Sequence, residues 1–280
     1  MRILYFLVIG SVFFTSCYTP RYMYSPPAQN IPVLVNKGDS KLGAYLSTNL
    51  SNNNNGINES RNRGYDLQGA YAITNHLAIA ANYFKRTESN SGFNDGGNLD
   101  SSFIDYKRNL TEIGIGYFIV LDKNNQTMFQ IFGGIGKGQF SFTDNGKQNN
   151  LDYMRSHQAT ITKFYIQPAL MLRTKTNITF SFSSKFNFIK FGNIKTNYAP
   201  NELHYYKLDS LNDGTRVFWE PAFTNTFGFK NLPGVQLEYQ FGFAIFLDGR
   251  YISHRAFNFS MALLLDLPKL LHPKSSQPKN

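Results

Sequence analysis

The stretch that decides the fold is Val235-Gln236-Leu237-Glu238-Tyr239-Gln240-Phe241-Gly242-Phe243-Ala244-Ile245, in which apolar residues alternate with polar or small ones. Successive side chains of a β-strand point to opposite faces, so a period of two predicts a strand with two unlike faces. The stretch is long enough to cross a bilayer, which takes roughly 9–11 residues of strand. Strands of soluble proteins average only about five or six residues. This stretch therefore predicts a membrane-spanning strand.

The same alternation recurs along the chain, and its apolar faces are rich in aromatic residues. Aromatic residues make up 16% of the sequence and charged residues only 16%, against about 25% charged in typical soluble domains. The pattern predicts an all-β, closed, antiparallel transmembrane β-barrel of about ten strands (8–12). The predicted strands cover residues 41–48, 64–73, 77–86, 108–120, 126–142, 158–173, 176–190, 215–229, 234–246 and 251–265.

The connections between these strands alternate between long and short. Long polar loops are expected after odd-numbered strands, at residues 49–63, 87–107, 143–157 and 191–214. Tight turns are expected after even-numbered strands, whereas Asp248-Gly249 gives a short turn where a long loop was due. Long outer loops and short periplasmic turns are typical of outer-membrane barrels. The first strand would then rise from the periplasm, and an even strand count would return residues 268–280 there as a periplasmic tail.

The N-terminus resembles a secretion signal. Arg2 is followed by an apolar run over residues 3–14, too short for a membrane-spanning helix of roughly 20 residues. Phe14-Thr15-Ser16-Cys17 looks like a lipobox, so residues 1–16 are predicted to be a lipoprotein signal peptide and Cys17 the lipidated residue. The alternatives are an ordinary signal peptide with a leftover cysteine and an N-terminal anchor helix.

Cys17 is the only cysteine, which excludes a disulfide within the chain. Residues 17–40 contain several prolines and little periodicity, which predicts a lipidated N-terminus and a Pro-rich tether. The barrel would then occupy residues 41–267. On this reading the protein is anchored in the outer membrane through Cys17 on the periplasmic side, with long extracellular loops.

Three groups of residues resemble the small outer-membrane β-barrel lipoproteins of bacteroidete-type bacteria. The first is Cys17 with its tether, the second is Asn30-Ile31-Pro32-Val33-Leu34 with Lys37-Gly38-Asp39, and the third is Gly64-Tyr65-Asp66-Leu67-Gln68-Gly69-Ala70-Tyr71-Ala72. The resemblance covers roughly residues 17–86 and implies a fold and a location, but no shared activity. One departure is that the last strand runs into Asp266-Leu267, where many such barrels end on an aromatic residue.

The formal net charge of +10 indicates an anionic partner. Positive residues are scattered among acidic ones, and a secreted chain does not meet the genome, so nucleic acid is not expected. The predicted partners are outer-membrane lipid and lipopolysaccharide, together with the barrel-assembly and lipoprotein-sorting machinery. An extracellular or envelope protein partner is left open.

Several charged residues fall on the predicted inward faces of the strands, namely Glu112, Lys163, Arg173, Lys185, Glu220 and Glu238. Unpaired charge in a narrow lumen is costly, so mutual pairing is expected. A ten-stranded lumen is little wider than the eight-stranded kind that side chains fill, which favours a sealed interior over a small polar channel.

The glycine-rich run 133–138 lacks the P-loop pattern, because Ile131 stands where its first glycine is required and Gly138 follows Lys137. Its glycines are expected to let a strand bend or a side chain pack across the lumen. The five histidines show no metal-ligand spacing, and neither a metal nor a cofactor is expected.

The leading functional prediction is a non-enzymatic, structural or surface-interaction role carried by long extracellular loops. A narrow pore for ions or small solutes is the second hypothesis. The third is a rim-active enzyme acting on lipid or peptide, for which His204 with Glu202 and Asp209 would supply the acid–base group. The structural rival is a soluble β-sandwich on a lipid anchor.

Overall fold

A computed structural model describes residues 20–48, 60–94, 100–174, 176–232, 234–250 and 252–271. Cys17 and the predicted signal peptide lie outside the described residues, as do most of the predicted loop 49–63 and the tail beyond residue 271. Within these ranges no helix is long and apolar enough to cross a membrane. The strands are β1 (Ser40–Thr48), β2 (Ser60–Ala72), β3 (Leu77–Asn94), β4 (Asp100–Val120), β5 (Thr127–Gln148), β6 (Leu151–Arg173), β7 (Ile178–Thr196), β8 (Arg216–Gly228), β9 (Val235–Phe243) and β10 (Phe257–Leu265), and the helices are α1 (Pro200–Tyr205) and α2 (Leu267–Leu271).

The ten strands form a closed antiparallel barrel, which confirms the predicted fold class. Each strand pairs with the next, and β1 closes the ring by pairing with β10, where Ala44 lies opposite Leu263. A short strand, Ile245–Phe246, continues β9 in the same register after Ala244. Pro221 of β8, which has no N–H to donate, faces this interruption.

Six of the strands run well past their predicted ends. The predicted loops 87–107 and 143–157 are largely strand, because β3 continues to Asn94, β4 begins at Asp100, β5 continues to Gln148 and β6 begins at Leu151. Likewise, β2 begins at residue 60 and β7 extends to residue 196. At the other extreme, residues 252–256 of the predicted last strand lie outside any named strand, and β10 begins at Phe257.

The polarity of the two faces inverts along the longest strands, which explains why these extensions were predicted as loops. In the half near the short turns, β4 points Ile113 and Ile115 outward and buries Glu112. Farther along, the same strand points Lys107 outward and buries Tyr106. We call this second half, in which strands present polar residues outside and apolar residues inside, the barrel extension.

An apolar band therefore surrounds only the half of the barrel near the short turns. Large apolar side chains there are exposed on all ten strands, including Leu42, Leu67, Ile79, Ile113, Ile135, Phe164, Phe182, Phe223, Leu237 and Met261. Inside the extension lies an apolar cluster that contains Met23, Phe140, Phe142, Phe191, Leu211 and Phe218. The band is the surface expected to contact lipid, while the extension packs as a water-soluble barrel does.

The segment predicted to be an external tether lies inside the barrel, and that prediction is wrong. We call residues 20–35 the lumen segment, since nearly all of its side chains are buried. Its first residue contacts the extension, whereas Lys37, just beyond its last residue, donates its N–H to Asn75 Oδ1 (2.9 Å) in a short turn. The segment has no periodicity because most of its backbone bonds are to side chains of the wall, and only a single bridge, at Tyr24, joins it to the backbone of residues 253–255.

Candidate functional site: the occupied lumen

The barrel wall supplies hydrogen bonds to the backbone carbonyls of the lumen segment. Arg108 Nη1 donates to Met23 O (3.0 Å), and Arg86 Nη1 donates to Pro26 O (3.3 Å). Gln68 Nε2 donates to Ala28 O (2.9 Å). A buried carbonyl without a donor costs about 1–3 kcal/mol. Because the donors are fixed on the wall, the carbonyls are satisfied only when the whole segment sits in this one placement.

An ion pair anchors the segment at its start. Arg21 forms an ion pair with Asp144 of β5, and both side chains are almost fully buried. Tyr198 donates its hydroxyl to the same carboxylate (2.8 Å). Burial and the negative charge of Asp144 raise the pKa of the Tyr198 hydroxyl well above its ordinary value, so this donor keeps its proton. The Arg21 guanidinium also lies over the ring of Tyr206 (3.6 Å).

Midway along the lumen the segment meets the predicted inward charge Glu220. Tyr24 donates its hydroxyl to Glu220 Oε1 (2.7 Å). A reciprocal amide pair follows, in which Gln29 N–H donates to Gln240 Oε1 (2.6 Å) and Gln240 Nε2 donates to Gln29 O (3.0 Å). The segment thus forms hydrogen bonds to β8 and β9 through both its side chains and its backbone.

Three of the predicted lumen charges come together in one cluster. Glu112 forms ion pairs with Lys163 (2.7 Å) and Lys185 (2.9 Å), and all three side chains are buried. These residues come from β4, β6 and β7. Lys185 Nζ also lies over the ring of Tyr165, 4.1 Å from its centroid. Glu220 lies opposite Lys185 in the register of β7 and β8, so the two cations are balanced by two buried carboxylates.

The other two predicted charges lie nearer the short turns. Glu238 is 3.5 Å from Lys41 Nζ and accepts from the hydroxyls of Tyr45 and Thr226. Arg173 is half-buried at the mouth, where it lines a cavity of about 180 Å³ together with Lys41 and Glu238. The structure therefore separates Arg173 from the Glu112 cluster.

Sequence reasoning missed a second group of buried charges on the inner wall. Arg108 and Arg255 each place Nε 3.6 Å from Glu88 Oε2, and Arg86 donates to Ser25 Oγ (2.9 Å). Arg86, Glu88 and Arg108 lie at inward positions of β3 and β4. The alternation already placed Arg86 and Arg108 at the ends of predicted strands, whereas Glu88 could be identified only by extending the strand into the predicted loop 87–107.

The glycine-rich run makes room for an aromatic side chain inside the wall. A Cβ on Gly134 would overlap the backbone oxygen of Ile113 and lie 2.7 Å from the ring of Tyr165, whereas a Cβ on the neighbouring Gly133 would meet only a backbone oxygen at 3.8 Å. A Cβ on Gly116 would likewise meet the ring of Phe132. The glycines of β4 and β5 thus accommodate rings that fill the lumen, as the sequence suggested.

Polar side chains are fully enclosed at several levels of the lumen. Gln130, Asn187 and Ser260 are each inaccessible to solvent, although they point to the inside of the barrel. An aqueous channel at those levels would have left such side chains partly exposed. The lumen segment and the paired charges therefore close the described barrel.

The proposed rim group is only partly assembled. His204 Nδ1 lies 2.8 Å from Asp209 Oδ2 on an exposed surface. Glu202 belongs to a different arrangement, because it pairs with Arg155 and accepts from the N–H of Ala199 (3.0 Å) at the start of α1. Glu202 therefore caps a helix and does not face the histidine's partner.

These features define the class of protein: a closed ten-stranded β-barrel with an apolar outer band and an occupied lumen. No protein-family model and no curated protein matches the chain. Solved structures similar in architecture include the translocator domain of autotransporter NalP from Neisseria meningitidis, with 9% identity, TM-score 0.48 and coverage of 82% of this chain and 88% of that one.

Two further solved structures are similar at the same low level of identity. The outer membrane protease OmpT from Escherichia coli has 11% identity and TM-score 0.45, with 82% of this chain and 94% of that chain covered. The COG4313 outer membrane channel from Pseudomonas putida F1 has 8% identity and TM-score 0.39, with 89% and 100% covered. The likeness concerns barrel architecture and carries nothing about activity.

Proposed function

We propose that the chain is an outer-membrane β-barrel lipoprotein with a sealed lumen and a non-enzymatic, structural or surface-interaction role. The observation that carries the proposal is the inversion of polarity along the wall. An apolar band of exposed side chains fits a bilayer, while the barrel extension offers polar surface to water on one side. The lipoprotein assignment rests on the lipobox-like sequence ending at Cys17.

The extension supports a surface role because it is a large, ordered structure beyond the apolar band. Four hairpin strands, β3 to β6, build most of it, and its interior is packed with aromatic side chains. Flexible loops would lose entropy on binding a partner. A rigid extension presents its surface already ordered, which suits the recognition of an extracellular or envelope protein.

The outer wall also supports lipopolysaccharide as a lipid partner. On five strands, the first charged residue met on the outer face, going from the apolar band toward the barrel extension, is basic and exposed. These residues are Arg63, Lys85, Lys107, Lys137 and Lys190. We call these five residues the basic arc. Phosphorylated lipid headgroups lie at that level of an outer leaflet, where each lysine contributes about 1 kcal/mol of attraction.

A pore is the second candidate, and it would need the lumen segment to leave. The wall behind the segment carries Arg86, Lys163, Lys185 and Glu112, so its removal would uncover a charged passage. The exposed contact between His204 and Asp209 supports the rim-enzyme candidate less, since Glu202 is engaged elsewhere.

Two measurements test the proposal together. Gel mobility of the protein from purified outer membranes, boiled and unboiled, should shift because a folded membrane barrel resists detergent until heated. Planar-bilayer recording should give no conductance for the complete protein and open events for a variant lacking residues 21–34. Stable conductance of the complete protein would favour the pore. Absence of a mobility shift, with release of Cys17→Ala from membranes, would mean a soluble domain on a lipid anchor.

A further inference from the structure

The lumen segment spans the barrel from one end to the other. At its start, Pro20 O accepts from the hydroxyl of Tyr106 (3.2 Å), and Arg21 pairs with Asp144, four residues before the end of β5. Both partners belong to the barrel extension, at the end where the long hairpins turn. Just beyond the segment, Lys37 bonds to Asn75 between β2 and β3, at the short-turn end.

The C-terminal part of the described chain lies at the short-turn end. Leu267 N–H, which follows β10, donates to Ser40 Oγ (3.2 Å) at the first residue of β1. Ten strands therefore return the chain to the end from which β1 starts, and the lumen segment adds one more crossing before them. The start of the described chain and its end consequently lie at opposite ends of the barrel.

Residues 20–35 are held in this direction by contacts over their whole length. Met23 N–H donates to Ser253 O (2.7 Å), and Arg255 N–H donates to Tyr24 O (2.9 Å). Asn30 Nδ2 donates to Gly69 O (2.9 Å) near the other end. A segment inserted the other way round would lose the ion pair with Asp144 and misplace each of these bonds.

We infer that the chain threads the barrel from the end where the long hairpins turn, with Pro20 held at that end. Three residues span at most about 10–11 Å, so a lipid joined to Cys17 is presented at that end as well. With the orientation of the proposed function, on which this inference rests, that end is extracellular. The lipid then faces the cell surface, the reverse of the periplasmic anchor expected from the sequence.

Epitope accessibility on intact cells tests the inference. One variant carries a short epitope between Thr19 and Pro20, a second carries it between Asn149 and Asn150 at the β5–β6 hairpin tip, and a third carries it after Asn280. We expect antibody to reach the first two on intact cells and the third only after permeabilisation. The heat-dependent gel shift of each variant shows that its barrel has folded.

The pairing of outcomes separates this inference from the proposed function. If the hairpin epitope is reached on intact cells and the epitope before Pro20 only after permeabilisation, the inference is overturned while the membrane orientation stands. If both need permeabilisation and the C-terminal epitope does not, the orientation is wrong and the threading is upheld. If the inserted epitope prevents folding, cross-linking of Arg21→Cys to Asp144→Cys in the refolded protein decides, and its failure overturns the threading.

Discussion

Arg21 and Asp144 form a buried ion pair across 123 positions of sequence. The arginine belongs to a segment without regular structure, and the aspartate points inward from β5 inside the barrel extension. Each would be an uncompensated buried charge without the other. This pair therefore holds the beginning of the lumen segment at the end of the barrel where the long hairpins turn.

The first prediction concerns this contact. In the refolded protein without residues 1–19, the variant Arg21→Cys/Asp144→Cys should be joined by a short bismaleimide reagent, because the ion pair keeps the two positions within reach of such a linker. The matched control is Arg21→Cys/Asn145→Cys, since Asn145 is exposed on the outer face. Cleavage at an engineered protease site between residues 35 and 40, followed by non-reducing gels, shows whether the segment stays attached. Equal cross-linking of both pairs would contradict the buried position of Arg21.

The second prediction concerns the Glu112 cluster. Glu112→Gln should lower the free energy of unfolding by about 3–5 kcal/mol, because Lys163 and Lys185 would remain buried without the one carboxylate that contacts both. Urea titration of the refolded barrel in lipid vesicles measures the change. Lys147→Gln is the control: its contact with Asp152 is long (3.9 Å) and exposed, so a change of roughly 0.5 kcal/mol or less is expected. Similar losses for both variants would refute a special role for the cluster.

The third prediction separates two neighbouring glycines. Gly134→Ala should destabilise the barrel by about 1–3 kcal/mol, because the added methyl group would overlap the backbone oxygen of Ile113 and the ring of Tyr165. Gly133→Ala should be nearly neutral, since its Cβ meets only a backbone oxygen at 3.8 Å. The temperature at which the gel shift is lost gives the comparison. A neutral Gly134→Ala would contradict the close approach of β5 to Ile113 and Tyr165.

The fourth prediction concerns the basic arc. The triple variant Lys85→Gln/Lys137→Gln/Lys190→Gln should retain less lipid A after detergent extraction, at about 1 kcal/mol per lysine. The control removes three exposed lysines from the opposite end, Lys37, Lys123 and Lys230. Native mass spectrometry with added lipid A, and with its dephosphorylated form, counts bound lipids. Equal binding by both triple variants would show that net charge matters and position does not.

The sequence alone determined the barrel. Period-two alternation is a local property, so the strand around Val235 to Ile245 and its repeats could be read without knowing what they contact. The short turns could be identified for the same reason. The inward direction of Glu112, Lys163 and Lys185 also followed from alternation, since a strand side chain has only two faces available.

Only the tertiary structure decided the contents of the lumen and the true height of the wall. Residues 20–35 lack periodicity because their partners, such as Arg108 and Gln240, are contributed by strands far along the chain. The strand extensions looked like polar loops because, beyond the apolar band, water is outside and the apolar cluster is inside. The sequence shows which residues of a strand are apolar, but not whether that face points outward or into the lumen. The direction depends on what surrounds each part of the wall, and those surroundings exist only once the barrel has closed around the lumen segment.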